Sequence, residues 1–528
     1  MLTGLSMLGA ENSSSSGKEF HGINPATGEK LDPPFYTAAS ADVDRAAELA
    51  EEAFSPYSKL SGKERAHFLR TIADGIQAIS DQLVERANLE TALPFPRLQG
   101  ETARTANQFR HFAEVIEEGS WASPRIDTAL PERKPLPRPD IRAMLVPLGP
   151  VAVFGASNFP LAFSVGGGDT ASAFAAGNPV VVKAHPAHPG TSELVGNVIR
   201  ESVRACGLHP GVFSLLFDAG IEIGQRLVQH PLIKAVGFTG SLGGGRALMN
   251  LAANRAEPIP VYAEMGSTNP VFILPGALKQ YEKIAADLTA SYTVGAGQMC
   301  TKPGLVLLPQ SPDAANLVAE LTKRAAALDG FSMLTTGIAE HYRRGLQQRT
   351  ASKGVSVAYQ SERASTGAAT TAVLLETEAD DLLRDPALAE EIFGPTSLVV
   401  TYKNDEQMLE AARSLHGHLT AAILGTEDDL AAHKELIAIL ERKVGRLIFN
   451  GYPTGVEVCH SMVHGGPYPA TSDGRSTSVG SMAIFRFARP VSYQNLPQRA
   501  LPAELKDENP LGVMRMVNGQ LTRDPVRS

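Results

Sequence analysis

Apolar positions recur at helical spacing over residues 42–112. Ala46, Ala47, Leu49, Ala50 and Phe54 form one stripe, and Phe68, Leu69, Ile72, Ile76 and Ile79 form another, so amphipathic helices are expected there. A polar, Ser-rich stretch at 11–18 precedes them and reads as part of a mobile lead-in over residues 1–18. The Pro-rich stretch 131–139 breaks the helical pattern and reads as a connection between layers. Beyond it the period changes. Short apolar runs at 151–154, 180–182, 212–216, 235–238 and 259–263 alternate with helical segments, which predicts right-handed βαβ units and a parallel sheet with helices on both faces. A second α/β series begins near Val271 and passes Leu305 and Leu398 to Leu447. No fixed-period repeat is present.

In an open parallel sheet, ligands bind beyond the carboxyl ends of the strands. Polar residues follow four of the predicted strands: Asn158 the first, Lys183 the second, Thr239 to Ser241 the fourth and Glu264 the fifth. One such coincidence carries no weight, whereas four together point to a site.

The length of 528 residues exceeds one ordinary core, so two or three domains are expected. A formal net charge of -8, with Lys and Arg scattered along the chain, argues against a nucleic-acid binder. The three cysteines, Cys206, Cys300 and Cys459, have no CxxC or Cys/His metal spacing. Neither a disulfide framework nor a metal site is expected, and the usage suits a reducing cytoplasm. Residues 1–10 carry no basic group, so no signal peptide is expected. No run approaches the roughly 20 apolar residues of a membrane span.

Cys300 follows Gly295-Ala296-Gly297-Gln298-Met299, and flanking glycines let backbone and ligand approach closely while the thiol stays open. A bare cysteine is more often a small buried hydrophobe than a nucleophile, and Cys206, at an expected helix end, fits that description. Cys459, beside His460, is the rival nucleophile. Glu264 ends a strand before Met265-Gly266, where a carboxylate can be half buried and serve as a base. Gly240-Ser241 before Gly243-Gly244-Gly245 is either a flexible turn or a pyrophosphate cradle at a helix N-terminus. No GxGxxG fingerprint follows the early strands, so these residues alone leave a dinucleotide site open.

Six segments change that balance. Asn158-Phe159-Pro160, Phe238-Thr239-Gly240-Ser241, Glu264-Met265-Gly266, Gly297-Gln298-Met299-Cys300, Glu391-Ile392-Phe393-Gly394-Pro395 and Asn450-Gly451 resemble motifs of the aldehyde dehydrogenase superfamily. They stand in that family's order and cover roughly residues 20–497. The resemblance also answers the missing fingerprint, because the family binds its dinucleotide on a variant Rossmann fold without it. Phe154-Gly155-Ala156-Ser157-Asn158, the segment 183–190 (KAHPAHPG) and the segment 450–473 look closest to the 2-oxoglutarate semialdehyde (2,5-dioxovalerate) dehydrogenase branch. Two departures stand out: Ser267 where a second glycine is common, and His464-Gly465-Gly466-Pro467 in place of the usual late glycine-rich segment. The second is expected to concern the substrate pocket.

The resemblance implies an α/β fold in three parts: a variant Rossmann cofactor domain (19–132 and 149–264), an α/β catalytic domain (265–480) and a small β oligomerisation element (133–148 and 481–497). A tail over 498–528 follows. Within the oligomerisation element, 483–487 is expected to be an open-edged strand that pairs subunits into a homodimer or homotetramer. Cys300 is implied as nucleophile, Glu264 as general base, and Asn158 with the Cys300 backbone N–H as oxyanion donors. Lys183 and Glu391 would hold the two riboses, Gly240 and Ser241 the pyrophosphate, and Phe393 would pack near the nicotinamide. Pro186 stands where NAD-preferring relatives often carry an acid, so NADP as well as NAD is expected to bind. For the substrate, Phe159 and the helix bearing Thr105, Gln108 and Phe109 would line the tunnel. Arg104 and Gln108, four apart, would clamp a carboxylate, with Arg110 and Arg475 in reserve and a surface Arg104 paired to Glu101 as the bland alternative. The competing readings are an NADP-dependent dehydrogenase of aliphatic or fatty aldehydes, a thiol esterase and a non-catalytic protein on the same fold.

Overall fold

The computed structural model describes residues 2–363 and 366–526. Four helices open the chain: Ser40–Ser58, Gly62–Ala78, Ser80–Thr91 and Phe95–Glu118. The second starts in a capping box, in which Ser61 accepts from the Glu64 N–H and the Glu64 carboxylate accepts from the Ser61 N–H. The fourth buries Leu98, Thr105, Phe109, Phe112 and Ile116 along one face and stops at Gly119, whose φ of 81° lets it close the helix in the left-handed region.

The five apolar runs are five parallel strands of one seven-stranded sheet. Its order is Val261–Glu264, Ala235–Thr239, Val151–Phe154, Val180–Lys183, Phe213–Leu216, then Met7–Leu8 and Glu11–Asn12. The runs read as uninterrupted apolar text because both sheet faces are covered. Val180 and Val182 pack into one core while Val181 packs into the core on the other side, and Val151 and Val153 are split from Ala152 in the same way.

Residues 2–18, expected as part of a mobile lead-in, include two strands of the first sheet. Met7–Leu8 pairs antiparallel with Phe213–Leu216, Met7 is buried, and the N–H groups of Thr3 and Gly4 donate to the buried Glu193 carboxylate at 2.7 and 3.0 Å.

A second seven-stranded sheet runs in the order Ser356–Gln360, Val373–Glu378, Thr396–Tyr402, Leu305–Pro309, Val271–Ile273, Thr420–Leu424 and Arg446–Phe449. All its pairs are parallel except the first. A five-stranded sheet joins Ala488–Gln494, Ile141–Pro147, Arg125–Asp127, Arg515–Val517 and Gln520–Thr522. Residues 483–487 are not a strand but part of a 3-10 turn, Ser481–Phe487, which buries Ala483, Ile484 and Phe487 and exposes Phe485, and the edge strand is the next segment, Ala488–Gln494, bonded among the described residues on one side only, to Ile141–Pro147. The apolar composition of 483–487 reflects burial against the helix Gly168–Ala176 rather than a sheet edge. The tail over 498–528 contributes two strands, and Arg515 within it is buried.

Candidate active site

The first sheet has the strand order in which the chain reverses direction beside Val151–Phe154, and the crevice at such a switch point is where ligands bind. A cavity of about 2000 Å³ opens there. Its walls include Gly155 and Asn158 after the first strand, Pro186 after the second, Gly240 and Ser241 after the fourth, and Cys300, Glu391 and Phe393 from the second half of the chain.

Each predicted cofactor residue has a definite place. Ser241 caps the helix Leu242–Ala253, its hydroxyl accepting from the Gly244 N–H at 3.1 Å, which leaves the hydroxyl proton free for an anion at that N-terminus. Gly240 donates its N–H to the Glu264 carbonyl, tying the turn to the end of the neighbouring strand. Glu391 Oε1 is buried with no partner, and a Cβ at Gly266 would lie 2.4 Å from Glu391 Oε2, so the glycine keeps room for this carboxylate. An unsatisfied buried acceptor facing a crevice fits the hydroxyls of a ribose. Burial pushes the Glu391 carboxyl up. Lys183 is buried and donates to the Asp218 carbonyl at 2.8 Å, while His185, Pro186 and Ala187 form the adjoining cavity wall.

The thiol loop is built from backbone conformations that few residues tolerate. Gly295, Ala296 and Gly297 have φ values of 60°, 56° and 64°. A Cβ at Gly297 would lie 2.3 Å from the Gly394 carbonyl, so the loop can seat only with glycine there. Asn269 holds the far side. Its amide donates to the carbonyls of Cys300 and Lys302 at 2.8 and 2.9 Å, and its oxygen accepts from Ser267 and Thr420 hydroxyls. The Ser267 noted as a departure in the sequence is thus part of this brace. Lys302, buried, donates to the carbonyls of Ile392 and Thr396 and joins the thiol loop to the Glu391 segment. Neither brace was expected, although a lysine between Thr301 and Pro303 beside a buried loop is a usable signal.

Asn158 points at the nucleophile loop, its side-chain amide donating to the Gln298 carbonyl at 2.9 Å. Arg97 donates to the Asn158 carbonyl at 2.7 Å and lies over the Phe159 ring.

His464 is the residue that sequence reading missed. It belongs to the unusual His464-Gly465-Gly466-Pro467 segment, which is drawn to the site because Thr471 bridges Glu264 and the Met265 N–H donates to the Ala470 carbonyl. His464 Nε2 lies 3.5 Å from Cys300 Sγ and 2.8 Å from Glu264 Oε1, and His464 is almost fully buried. Ser478 donates its hydroxyl to Glu264 Oε2. Burial alone would raise the Glu264 carboxyl, but the neighbouring His464 and the Ser478 hydroxyl bring it below its ordinary value. Burial and the Glu264 carboxylate push the Cys300 thiol well up. The proton therefore rests on sulfur, with a carboxylate and an imidazole beside it to receive it.

The rival thiol has no such company. Cys459 makes no side-chain hydrogen bond among the described residues, and the ring of His460 packs instead on His111 at 4.8 Å. Cys206 approaches only the Thr71 hydroxyl, at 3.7 Å.

Arg104 is not a surface residue. Glu101, its bland partner, instead accepts the N–H groups of Leu161 and Ala162. The Arg104 guanidinium lies 5.2 Å over the Phe163 ring, and both its Nη atoms are buried without a partner. Phe163 in turn packs on His464 at 6.0 Å. Gln108, one turn further on, has neither amide atom paired, and Phe159 packs on Phe163 beside Val456 and Met462. The reserve arginines are elsewhere: Arg110 pairs with Asp74, and the Arg475 side chain is 93 % exposed. No helix among the described residues is long and apolar enough to cross a membrane.

The chain is 49% identical over 521 residues to alpha-ketoglutaric semialdehyde dehydrogenase 2 of Azospirillum brasilense, covering 98% of this chain and 99% of that one. It is 47% identical over 492 residues to alpha-ketoglutaric semialdehyde dehydrogenase of Acinetobacter baylyi, covering 93% of each. Among solved structures it resembles a betaine aldehyde dehydrogenase from Staphylococcus aureus with bound NAD+, at a TM-score of 0.81 and 20% identity over 94% of this chain and 97% of that one. A 1-pyrroline-5-carboxylate dehydrogenase matches at a TM-score of 0.78 and 21% identity over 93% and 92%. The family model described as the aldehyde dehydrogenase family spans residues 12–479, which takes in the five parallel strands of the first sheet, the whole of the second and the residues around the thiol; the chain belongs to the aldehyde dehydrogenase family.

Proposed function

We propose that this aldehyde dehydrogenase oxidises 2-oxoglutarate semialdehyde to 2-oxoglutarate with NADP or NAD, through a thioester on Cys300. The observation that carries the substrate is the Arg104 guanidinium, buried near the thiol with both Nη atoms unpaired. The Nε of this guanidinium donates to the Val456 carbonyl at 3.3 Å, but two buried Nη groups left unpaired are costly, and a carboxylate at the far end of a short aldehyde would satisfy them by paired hydrogen bonds. Gln108 offers an amide to the same molecule, and Phe159 and Phe163 supply the apolar wall. The names of the two relatives at 47% and 49% identity agree with that chemistry.

Cys300 attacks the aldehyde carbon, and the thiol proton passes to the His464–Glu264 pair. The developing oxyanion is met by the Asn158 amide and the Cys300 N–H, each worth about 3 kcal/mol in such sites. A nicotinamide bound in the crevice supplies the hydride acceptor. Glu264, held by Ser478 and His464, then activates the water that releases the carboxylate. Lys183, Gly240, Ser241, Glu391 and Phe393 are the proposed cofactor contacts. The open edge of Ala488–Gln494 supports pairing of two subunits into a homodimer or, doubled, a tetramer.

Arg104→Ala is expected to raise KM for the acidic aldehyde roughly 10²-fold and for a neutral aldehyde of similar length only a few-fold. Reduced-cofactor absorbance with both substrates measures this, and equal effects would remove Arg104 from the substrate. The wild-type enzyme failing to prefer the acidic aldehyde would overturn the substrate proposal itself. A second expectation concerns Pro186, which lines the cavity. Pro186→Glu should weaken NADP relative to NAD by about tenfold or more, through repulsion of the 2′-phosphate; equal loss for both cofactors would separate this position from the 2′ site. A third follows from the raised Cys300 thiol. Below its pKa each pH unit gained adds up to about tenfold more thiolate, so kcat/KM should climb steadily from neutral into alkaline pH. A flat profile would show that the resting proton is not on sulfur.

A further inference from the structure

Cys300 Sγ, His464 Nε2 and Glu264 carboxylate oxygen all lie within 4.8 Å of one another. These are one thiol, one imidazole and one carboxylate, the three ligand types that zinc takes. With Zn–S near 2.3 Å and Zn–N near 2.0–2.1 Å, tetrahedral angles place sulfur and nitrogen about 3.6 Å apart. Cys300 Sγ and His464 Nε2 are separated by 3.5 Å. Glu264 Oε1 lies 2.8 Å from His464 Nε2 and needs to draw back by about 0.5 Å to reach the nitrogen–oxygen edge of such a tetrahedron.

The surroundings hold two of the three ligands in place. Glu264 Oε2 is fixed by the Ser478 hydroxyl. The His464 backbone is pinned between Thr477 and Ser478, its N–H donating to the Thr477 hydroxyl and its carbonyl accepting the Ser478 N–H. One element is missing: His464 Nδ1 has no partner, whereas a metal-bound histidine normally donates its second ring N–H. The fourth position stays open, as in catalytic rather than structural zinc sites.

We propose that Cys300, His464 and Glu264 form a binding site for a thiophilic divalent cation, zinc above all, and that its occupation reversibly inhibits the enzyme. The inhibitory half rests on Cys300 being the nucleophile of the proposed reaction; the binding half does not. On binding, the sulfur–proton bond is replaced by a sulfur–metal bond and one proton leaves to solvent, so affinity rises with pH. The incomplete support of His464 makes the site weaker by about 10–100-fold than one with its second ring N–H satisfied. The late segment that replaces the usual glycine-rich one supplies the imidazole, so the metal site is a by-product of this chain's departure from the broad family pattern.

Cobalt(II) added to the full-length, cofactor-free enzyme tests the site directly. The expected result is one cobalt per subunit with a thiolate-to-metal charge-transfer band and tetrahedral visible absorption, release of about one proton, and displacement by zinc. The band should vanish in C300S, affinity should fall at least about tenfold in both H464Q and H464F, and the C206S/C459S double variant should bind like wild type. In parallel, zinc should shield Cys300 from iodoacetamide while Cys206 and Cys459 still react, read by peptide mass spectrometry. No band at micromolar metal, a band that survives in C300S, or unchanged affinity in both His464 variants would overturn the site. Zinc binding as described but leaving aldehyde oxidation untouched would instead overturn the role of Cys300 in the proposed reaction.

Discussion

Cys300→Ala is expected to abolish aldehyde oxidation, by at least about 10⁴-fold in kcat, while dinucleotide affinity stays within a few-fold of wild type. Every other group around the thiol acts through it: the Asn158 amide, the His464 imidazole and the Glu264 carboxylate have no substrate carbon to act on once sulfur is gone. Cofactor affinity is spared because Ser241, Glu391 and Pro186 line other parts of the cavity. Cys459→Ala should retain substantial turnover, since its thiol has no base beside it. The measurement is reduced-cofactor absorbance with an aldehyde, paired with fluorescence titration of the cofactor. Near-normal turnover in Cys300→Ala would discard the covalent mechanism. Turnover of an ester together with no cofactor binding in wild type would favour a thiol esterase.

Glu264→Gln should slow steady-state turnover by about 10²–10⁴-fold and leave an acyl group on Cys300. If the carboxylate acts mainly in hydrolysis of the thioester, rapid mixing shows a burst of one reduced cofactor per subunit before the slow phase, and intact-mass analysis finds the adduct. If slowing occurs with no burst, the carboxylate acts first on the thiol through His464, and hydrolysis has another base. The contact of Glu264 with His464 at 2.8 Å makes both roles geometrically available. A fast variant without an adduct would reassign the general base.

The strands were legible because each carries its own signal. Val180–Lys183 and Val151–Phe154 are short unbroken apolar runs, and such runs follow from burial on both faces of a parallel sheet. The polar groups after them mark the crevice for the same reason. What failed was information held by distant parts of the chain. The lead-in gave no sign of a sheet because its strand Met7–Leu8 finds its partner, Phe213–Leu216, about two hundred residues away. The run 483–487 looked like a strand because composition does not separate a buried turn from an edge. His464 was visible only as a departure from a pattern. Its arrival at the thiol depends on the segment near 470 pairing beside Glu264, a contact with no local trace. Lys302 and Asn269 were hidden for the opposite reason, since each acts on backbone carbonyls that any sequence would offer.

Residues 2–12 act as a seal. Met7–Leu8 covers the flank of Phe213–Leu216, and the N–H groups of Thr3 and Gly4 hydrogen-bond the Glu193 carboxylate in the interior. A chain trimmed by proteolysis after residue 12 would lose both at once. The bared flank of Phe213–Leu216 would be a template for strand addition from another molecule, and the stranded Glu193 carboxylate would weaken the fold beneath it. Trimmed material should thus clump before it inactivates, and handling that spares the N-terminus is the practical safeguard for this enzyme.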